Sequence, residues 1–374
     1  MRTIVSAFQR LSIALCVCAP AFSQSSVTQD GATPSGETPA SVACVYKLVS
    51  QVPGCPIKGT SAVPTGGSNV IVIVDPYHYP TAETDLGVFS STFGLPPCTT
   101  ANSCLTVENV SGQPLENCAV TIESAVDIEW AHAMAPNARI YLVEAESLLL
   151  DDLLAGVKKA NSIVAHSPGK QGEVSMSWSQ NEVATETTLD GQNFVQIGAV
   201  YFAASGDQTG GVVKWPSASP LVVSVGGTIF RRDTNGDFSD EAGWSQSGGG
   251  PSAYEARPSY QGSISSIVGS QRGTPDVSAI ASNVSFYDSQ LCGGKSGWLL
   301  GQGTSIGAPI WAGIVNSAGV FYSSNTGQLS LFYSNLGNPS IFTDITVGGN
   351  GGYPAQPGWD FASGIGTPVG YSGK

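Results

Sequence analysis

The chain has 374 residues, of which 11% are charged, with 28 acidic against 15 basic side chains and a formal net charge of −13. That length suits one large domain or two ordinary ones. The acidic balance argues against nucleic acid or an anionic membrane surface as a partner, because both are polyanions.

Residues 1–23 read as a secretory signal. Arg2 and Arg10 supply the positive charge, and residues 11–22 are apolar but too short to span a bilayer. Ala21 and Ser23 suit cleavage before Gln24. No later stretch approaches about 18 uninterrupted apolar residues, so a secreted, soluble chain is expected. Residues 24–67 form a lead-in, and its first part, 24–42, is rich in Ser, Thr, Gly and Pro and reads as flexible. From residue 68 to 374 the chain is read as one domain. Strands are expected over 69–74, 139–143, 173–178, 199–204 and 221–225. Helices are expected over 82–93, 118–134, 147–161 and 186–196. Continuous apolar strands separated by helices predict an α/β fold, with a mostly parallel sheet covered by helices on both faces. Gly and Ser dominate 227–300, as in long surface loops. A buried helix is expected over 305–318, and the tail from Asp344 reads as a Gly-rich loop.

Outside the signal lie Cys44, Cys55, Cys98, Cys104, Cys118 and Cys292. An even number in an exported chain points to disulfides. Cys98–Cys104 closes a short polar loop and ranks first, then Cys44–Cys55, which leaves Cys118–Cys292; other pairings remain open. The glycine runs 248–250 and 348–352 lack the Gly-Lys-Ser/Thr end of a phosphate-binding loop. They read as tight turns or as close approaches of backbone.

Three features carry chemistry. Glu123 and Asp127 lie four apart in the helical stretch 118–134, which puts both carboxyls on one face. Their neighbours Val120, Ile122, Ala125, Val126, Ile128 and Trp130 are apolar. A buried pair of this kind shares a proton and acts as a base in acid, where histidine is already protonated. The competing reading is a solvated helix face. Asp207 follows Ser205-Gly206 at the carboxyl end of the strand 199–204, where α/β proteins place ligands; an ordinary turn aspartate competes. Gly303-Thr304-Ser305 opens the helix 305–318. A serine there aims its hydroxyl outward and has its own N–H available, so it offers a nucleophile and an oxyanion donor. The competing reading is a helix cap. The Gly-Thr-Ser start resembles subtilisin-like proteases, whose histidine base is usually followed by glycine. His78, His132 and His166 are followed by Tyr79, Ala133 and Ser167. A base other than histidine is therefore required.

Together these residues resemble the sedolisin family, the serine-carboxyl peptidases, over about residues 68–368. That family combines a Glu-x-x-x-Asp helix, a Ser-Gly-Asp turn and a Gly-Thr-Ser helix start, matched here by Glu123 with Asp127, by Asp207 and by Ser305. Val72-Ile73-Val74-Asp75, Trp130-Ala131-His132-Ala133, Ser175-Met176-Ser177-Trp178, Ser247-Gly248-Gly249-Gly250 and Pro275-Asp276-Val277-Ser278 follow in the family's order. The resemblance implies a subtilisin-like fold and endopeptidase activity in acid on polypeptide substrates, by a monomer. It implies Ser305 as nucleophile, Glu123 as base, Asp127 as its partner and a protonated Asp207 as oxyanion donor. Asp75 and Trp178 match positions that orient the acid pair. Ser247, Gly248 and Gly249 match an edge that binds substrate backbone by strand addition.

The resemblance also implies a Ca2+ site. Asp344 and Asp360 would give carboxylates, and Ile345, Gln356 and Gly358 would give backbone carbonyls, an all-oxygen set of the kind calcium prefers. The sequence departs from the family at Ser179, Gln302 and Gln356, and at 281–283, where an Asp-Pro pair is common. The family usually carries a large N-terminal prodomain, and the stretch between the signal and residue 68 is too short to hold one. The alternative function is therefore a non-catalytic, calcium-stabilised binding or surface protein on the same fold.

Overall fold

The run Val70-Ile71-Val72-Ile73-Val74 contains no polar side chain. A strand built from it must be covered on both faces. The computed structural model describes residues 26–374; the expected signal lies outside them. Its first half runs β1 (Ser26–Gln29), α1 (Pro39–Val45), β2 (Val70–Pro76), α2 (Ala82–Phe93), β3 (Leu105–Asn109), α3 (Cys118–Met134), β4 (Arg139–Ala145), α4 (Leu150–His166), β5 (Gly172–Met176), β6 (Gln180–Asn181), α5 (Glu186–Asn193) and β7 (Ala199–Ala204). There follow β8 (Lys214–Trp215), β9 (Val223–Arg232), β10 (Phe238–Gly243), β11 (Gly250–Ala256), α6 (Ser265–Val268), β12 (Gln271–Thr274), β13 (Val277–Ile280), β14 (Ser282–Cys292) and β15 (Lys295–Gln302). Last come α7 (Gly307–Ala318), α8 (Asn325–Ser334), β16 (Phe342–Thr343) and β17 (Thr367–Pro368).

Eight strands form the central sheet in the order β10-β9-β7-β5-β2-β4-β3, with β13 also on β9. Every pairing in it is parallel except β10 with β9. The two-residue period of β2 explains the layers. Ile71 and Ile73 join the core that holds Phe89 of α2, Trp130 of α3 and Trp311 of α7. Val70, Val72 and Val74 join the opposite core with Leu153, Val157 and Val164 of α4. The expected α/β sheet with helices on both faces is therefore present. α3 is buried from Val120 to Met134 and starts at Asn117, whose side chain accepts the Ala119 N–H. α7 ends at Gly319, whose φ of +69° is the left-handed conformation that glycine tolerates at a helix end. Among the described residues, no helix is long and apolar enough to cross a membrane.

Two regions differ from the sequence reading. Residues 227–300 are mostly strand, not surface loop. Small residues hid short alternating patterns: Val284 and Phe286 are both fully buried in the main core, with Trp298 and Leu299 of the paired strand β15 beside them. The segment 24–42 is not a loose lead-in over its described part. β1 pairs with β15, Ser26 opposite Gln302 and Gln29 opposite Leu299. Glu37 takes Arg232 in a two-pronged ion pair at 2.5 and 2.6 Å. Val42, Ala43 and Tyr46 belong to the main core, so no boundary between packing units falls at residue 68. The segment is ordered by distant partners that composition does not reveal. The disulfides Cys44–Cys55, Cys98–Cys104 and Cys118–Cys292 all form.

The interior holds many carboxyls. Burial raises Glu173 to about 8, Glu241 to about 7 and Asp288 to about 6, each partly offset by hydrogen bonds. Such a group binds a proton in the folded chain that it releases on unfolding at any pH between its ordinary value and its folded value. Stability is then fully present below the ordinary carboxyl pKa and falls as pH rises, by at most about 1.4 kcal/mol per pH unit per group. The window runs from 4.5 to about 8 for Glu173, and from 3.8 to about 6 for Asp288. The melting temperature is therefore expected to drop between about pH 5 and pH 8, on the order of several degrees. Calorimetry across that range checks it, and a flat or rising profile would contradict it.

Candidate active site

The carboxyl ends of parallel strands leave a crevice that the crossover connections do not fill. β2 ends there with Asp75, in register with Glu144 of β4. Asp75 has the same parity as Ile71 and Ile73, so it lies on the α3 side of the sheet. Glu123 and Asp127 stand one helical turn apart on α3, and the exposures of Asp75, Glu123 and Asp127 are 0%, 2% and 0%. Burial raises the Asp127 pKa well above its usual value; the charges of Asp75 and Glu123 add to this, and the Ser177 hydroxyl lowers it in part. Burial raises Asp75 to about 7, with Ser124 lowering it and Glu144 raising it. The Trp178 indole N–H donates to the Val74 carbonyl at 3.1 Å, next to Asp75 in the strand.

Ser177 links the acid pair to the serine turn. Its hydroxyl oxygen lies 2.9 Å from Asp127 Oδ1 and 3.2 Å from the Ser305 carbonyl oxygen. The sequence reading quoted Ser177 within a motif but gave it no role. Ser305 sits in a 3-10 turn, Thr304–Ile306, that leads into α7. Thr304, Ser305 and Ile306 all have 0% exposure, so the serine is not outward-facing as expected. α3, β7 and β13 close over that turn.

The Ser-Gly-Asp turn is tied to the same place. Asp207 Oδ1 accepts the Thr304 N–H at 2.7 Å and the Thr304 hydroxyl at 2.8 Å, while the Gly206 N–H donates to that hydroxyl at 3.0 Å. Glu123, Asp127, Asp207 and Ser305, drawn from three separate motifs, are thus linked through α3, Ser177 and Thr304, with Asp75 of a fourth beside Asp127. The histidines are engaged elsewhere: His78 with Glu144, His132 with the Pro96 carbonyl and His166 with the Ser162 carbonyl. His132 lies beside Cys98 and Cys104, but those sulfurs are spent on their disulfide.

The segment Ser247-Gly248-Gly249 does not present the open edge expected of it. The Gly248 N–H donates to the Gly206 carbonyl at 2.7 Å and the Gly249 N–H to the Val212 carbonyl at 3.1 Å. The Ser247 hydroxyl accepts the Gly227 N–H at 2.9 Å. A Cβ on Gly248 would stand 2.0 Å from the Ser205 carbonyl oxygen. Glycine is needed here because the segment packs backbone-to-backbone under the Ser205–Asp207 turn, and its donors are already used. It braces that turn.

Asp344, Ile345, Gln356, Gly358 and Asp360 share one loop region. Asp344 Oδ2 accepts the Gly358 N–H at 2.8 Å, and Asp360 Oδ2 accepts the Gln356 N–H at 2.6 Å. Asp360 Oδ1 takes the N–H groups of Ala362 and Ser363 and the Ser363 hydroxyl. Burial raises the Asp360 pKa, and those N–H groups lower it in part. Among the described residues, no hydrogen bond is accepted by the carbonyls of Ile345, Gln356 or Gly358. Three open carbonyls beside two carboxylates make a donor set that fits a hard cation.

Comparison with known proteins bears on the fold and the kinship. No family model matches the chain. It is 29% identical over 251 residues to sedolisin of Pseudomonas sp. (strain 101), covering 55% of this chain and 40% of that protein. It is 31% identical over 280 residues to kumamolisin of Bacillus sp. (strain MN-32), covering 66% and 49%. It is 29% identical over 327 residues to tripeptidyl-peptidase 1 of Dictyostelium discoideum, covering 76% and 50%. The chain thus spans about half the length of the curated relatives it matches. Among solved structures, Pseudomonas sedolisin, a serine-carboxyl proteinase complexed with pseudo-iodotyrostatin, superimposes with a TM-score of 0.71 at 23% identity, over 90% of this chain and 96% of that one. The shared architecture is the subtilisin-like fold of sedolisin, and in sequence the chain is similar to sedolisin, kumamolisin and tripeptidyl-peptidase 1 over about half of their length.

Proposed function

We propose that this chain is a secreted, acid-active serine-type endopeptidase. The observation that carries the reading is Ser177, whose hydroxyl touches both Asp127 on the acid helix and the Ser305 carbonyl. Two motifs separated by nearly half the chain are thereby held to one geometry. The kinship supplies the reaction class, and the buried carboxyls supply the pH range.

In this reading the Ser305 hydroxyl oxygen attacks the peptide carbonyl carbon. Its proton passes to Glu123, and the carbonyl oxygen becomes an oxyanion. The Ser305 N–H and a protonated Asp207 donate to that oxyanion. With Asp207 Oδ1 accepting from Thr304, the donated proton belongs on Oδ2. The proton held by Glu123 goes to the leaving amine, and water then hydrolyses the acyl-enzyme by the same steps in reverse roles. Asp127 shares a proton with Glu123, so the pair accepts and returns a proton where a histidine would already be charged. Ser305→Ala is expected to abolish turnover with the fold intact. Glu123→Gln loses the base, and Asp127→Asn loses less. Asp207→Ala lowers turnover by about a hundredfold or more, the scale of one lost oxyanion donor. Cleavage of a denatured protein by the purified variants checks each, and near-full turnover in Ser305→Ala sinks the assignment.

The pH dependence follows from the acids. Burial raises Asp75 to about 7 and pushes Asp127 well above the usual carboxyl range, so both favour holding a proton in acid. Turnover is expected to peak in acid and to fall as pH rises through neutrality, because the chain of acids then loses the proton it must pass. A rate that climbs through pH 7, where an unperturbed histidine becomes neutral, would point to a different base.

The zero exposure of Ser305 favours a second reading, a non-catalytic protein on the same fold. A serine-directed fluorophosphonate separates the two. Labelling of the wild type that is lost in Ser305→Ala supports the peptidase, and no labelling at any pH supports the alternative.

Calcium belongs to the proposal as a stabilising ion at Asp344, Ile345, Gln356, Gly358 and Asp360. Bound there, it would neutralise two carboxylates and cross-link the loop. Asp344 is exposed and takes one backbone donor, whereas Asp360 also holds its own turn together. Asp344→Ala is therefore the cleaner test. Calcium is expected to raise the melting temperature of the wild type with concentration, and to leave Asp344→Ala unmoved. A shift that survives in the variant would place the ion elsewhere.

A further inference from the structure

Glu144 has no part in the steps above, yet it is the next carboxyl along the line of acids. It is fully buried and lies opposite Asp75 on the β2–β4 rung. Its Oε1 accepts the Tyr79 N–H at 2.8 Å, and its Oε2 lies 2.8 Å from His78 Nδ1. The His78 side chain is 19% exposed, so this imidazole joins the buried acids to solvent.

The backbone carrying His78 and Tyr79 is shaped for that contact. Tyr77, two residues after Asp75, has φ of +68°, a conformation that a tyrosine rarely adopts and that costs free energy. The strap is pinned at each step. The Tyr77 N–H donates to the Ala145 carbonyl and the His78 N–H to the Leu115 carbonyl, at 2.8 and 2.9 Å. The Tyr79 hydroxyl and the Thr81 hydroxyl both donate to Asp85, at 2.8 and 2.6 Å. The groups that face Glu144 are thus Asp75 from β2, with Asp127 and Glu123 of α3 behind it, and His78 from the strap. Asp85 of α2 is reached through Tyr79, and Asn109 of β3, opposite Glu144, is neutral. Glu116 meets His78 through backbone pairing.

We propose that Glu144, clamped by His78 and the Tyr79 N–H, is a positioning residue for the reaction: a fixed negative charge that keeps a proton on Asp75 and so sets how the Asp75–Asp127–Glu123 line serves Ser305. The proposal rests on the peptidase reading. Its physics is the like-charge rule: a carboxylate beside a second carboxyl in a dry site holds the second one protonated. Contacts with a partly exposed imidazole and with the Tyr79 N–H give both Glu144 oxygens a partner. The sequence signal was a lone Glu in the otherwise apolar end of β4, with a His three residues after Asp75.

The test uses the whole chain. Glu144→Gln keeps an acceptor oxygen for Tyr79 and His78 but removes the charge; Glu144→Asp keeps the charge. The protonated carboxyl band of Asp75 in the infrared, identified by its loss in Asp75→Asn, is titrated from about pH 4 to pH 9. In Glu144→Gln its midpoint is expected to move down by about one pH unit, and the falling alkaline limb of the pH–rate profile moves with it. Glu144→Asp restores both toward wild type. Should Glu144→Gln fail to fold, His78→Gln removes the imidazole that faces Glu144 and is expected to shift the band midpoint, and an unmoved midpoint counts against the proposal. An unmoved band in the folded variant, or a rate lowered equally at every pH, overturns the proposal and leaves Glu144 a structural clamp. The infrared titration reads the coupling without turnover, so a chain that cleaves no peptide would defeat the peptidase reading while this measurement still gave its answer.

Discussion

Desolvation of carboxyl groups is the constraint on which this molecule turns. A parallel sheet covered on both faces has a dry interior, and an isolated charge placed there is heavily penalised. Yet Asp75, Glu123, Asp127 and Glu144 all sit at or under the carboxyl ends of its central strands with little or no exposure. Glu144 faces the His78 imidazole at 2.8 Å. Burial favours a proton on Asp75 and Asp127, and the Ser124 and Ser177 hydroxyls partly offset that burial. A set of acids that cannot all ionise is a proton reservoir whatever else it does.

The fold makes that set by register. β2 brings Asp75 to the end of an all-apolar strand, and β4 brings Glu144 to the matching rung. α3 lays two carboxyls one turn apart across them, and α7 sets its first turn against α3. Nothing in this arrangement needs a flexible loop to close. Thr304 ties the serine turn to the Ser205–Asp207 turn through two hydrogen bonds to Asp207 and one from the Gly206 N–H.

Legibility in the sequence followed periodicity. β7, α2 and α3 were readable to the residue because apolar strands and helical spacing are strong local signals. Glu123, Asp127, Asp207 and Ser305 stand out in the sequence because each interrupts an apolar pattern, whereas the Ser177 contact that links Asp127 to Ser305 needs the fold. The Gly- and Ser-rich region 227–300 was not, since its strands are short, mix small residues with large ones, and are set by distant pairing. The role of Ser247–Gly249 was misread for a related reason. A glycine run records close backbone approach but not which backbone approaches, and here it is the Ser205–Asp207 turn. His78 was considered only as a serine's base. Its partnership with Glu144 needs the β2–β4 register, which one sequence does not display.

The same burial governs chemistry and stability, and this links their pH ranges. Asp75 and Asp127 are raised mainly by desolvation, as are Glu173, Glu241 and Asp288 far from the serine. As pH rises, the acids of the proposed site and the structural acids both lose the protons that let them stay buried. A histidine base would separate these effects, because a neutral imidazole is cheap to bury at the pH where it works. A carboxyl pair does not. A chain that commits its catalytic proton to carboxyls gains a base that still functions in acid. By the same physical term it ties its folded lifetime to that acid range.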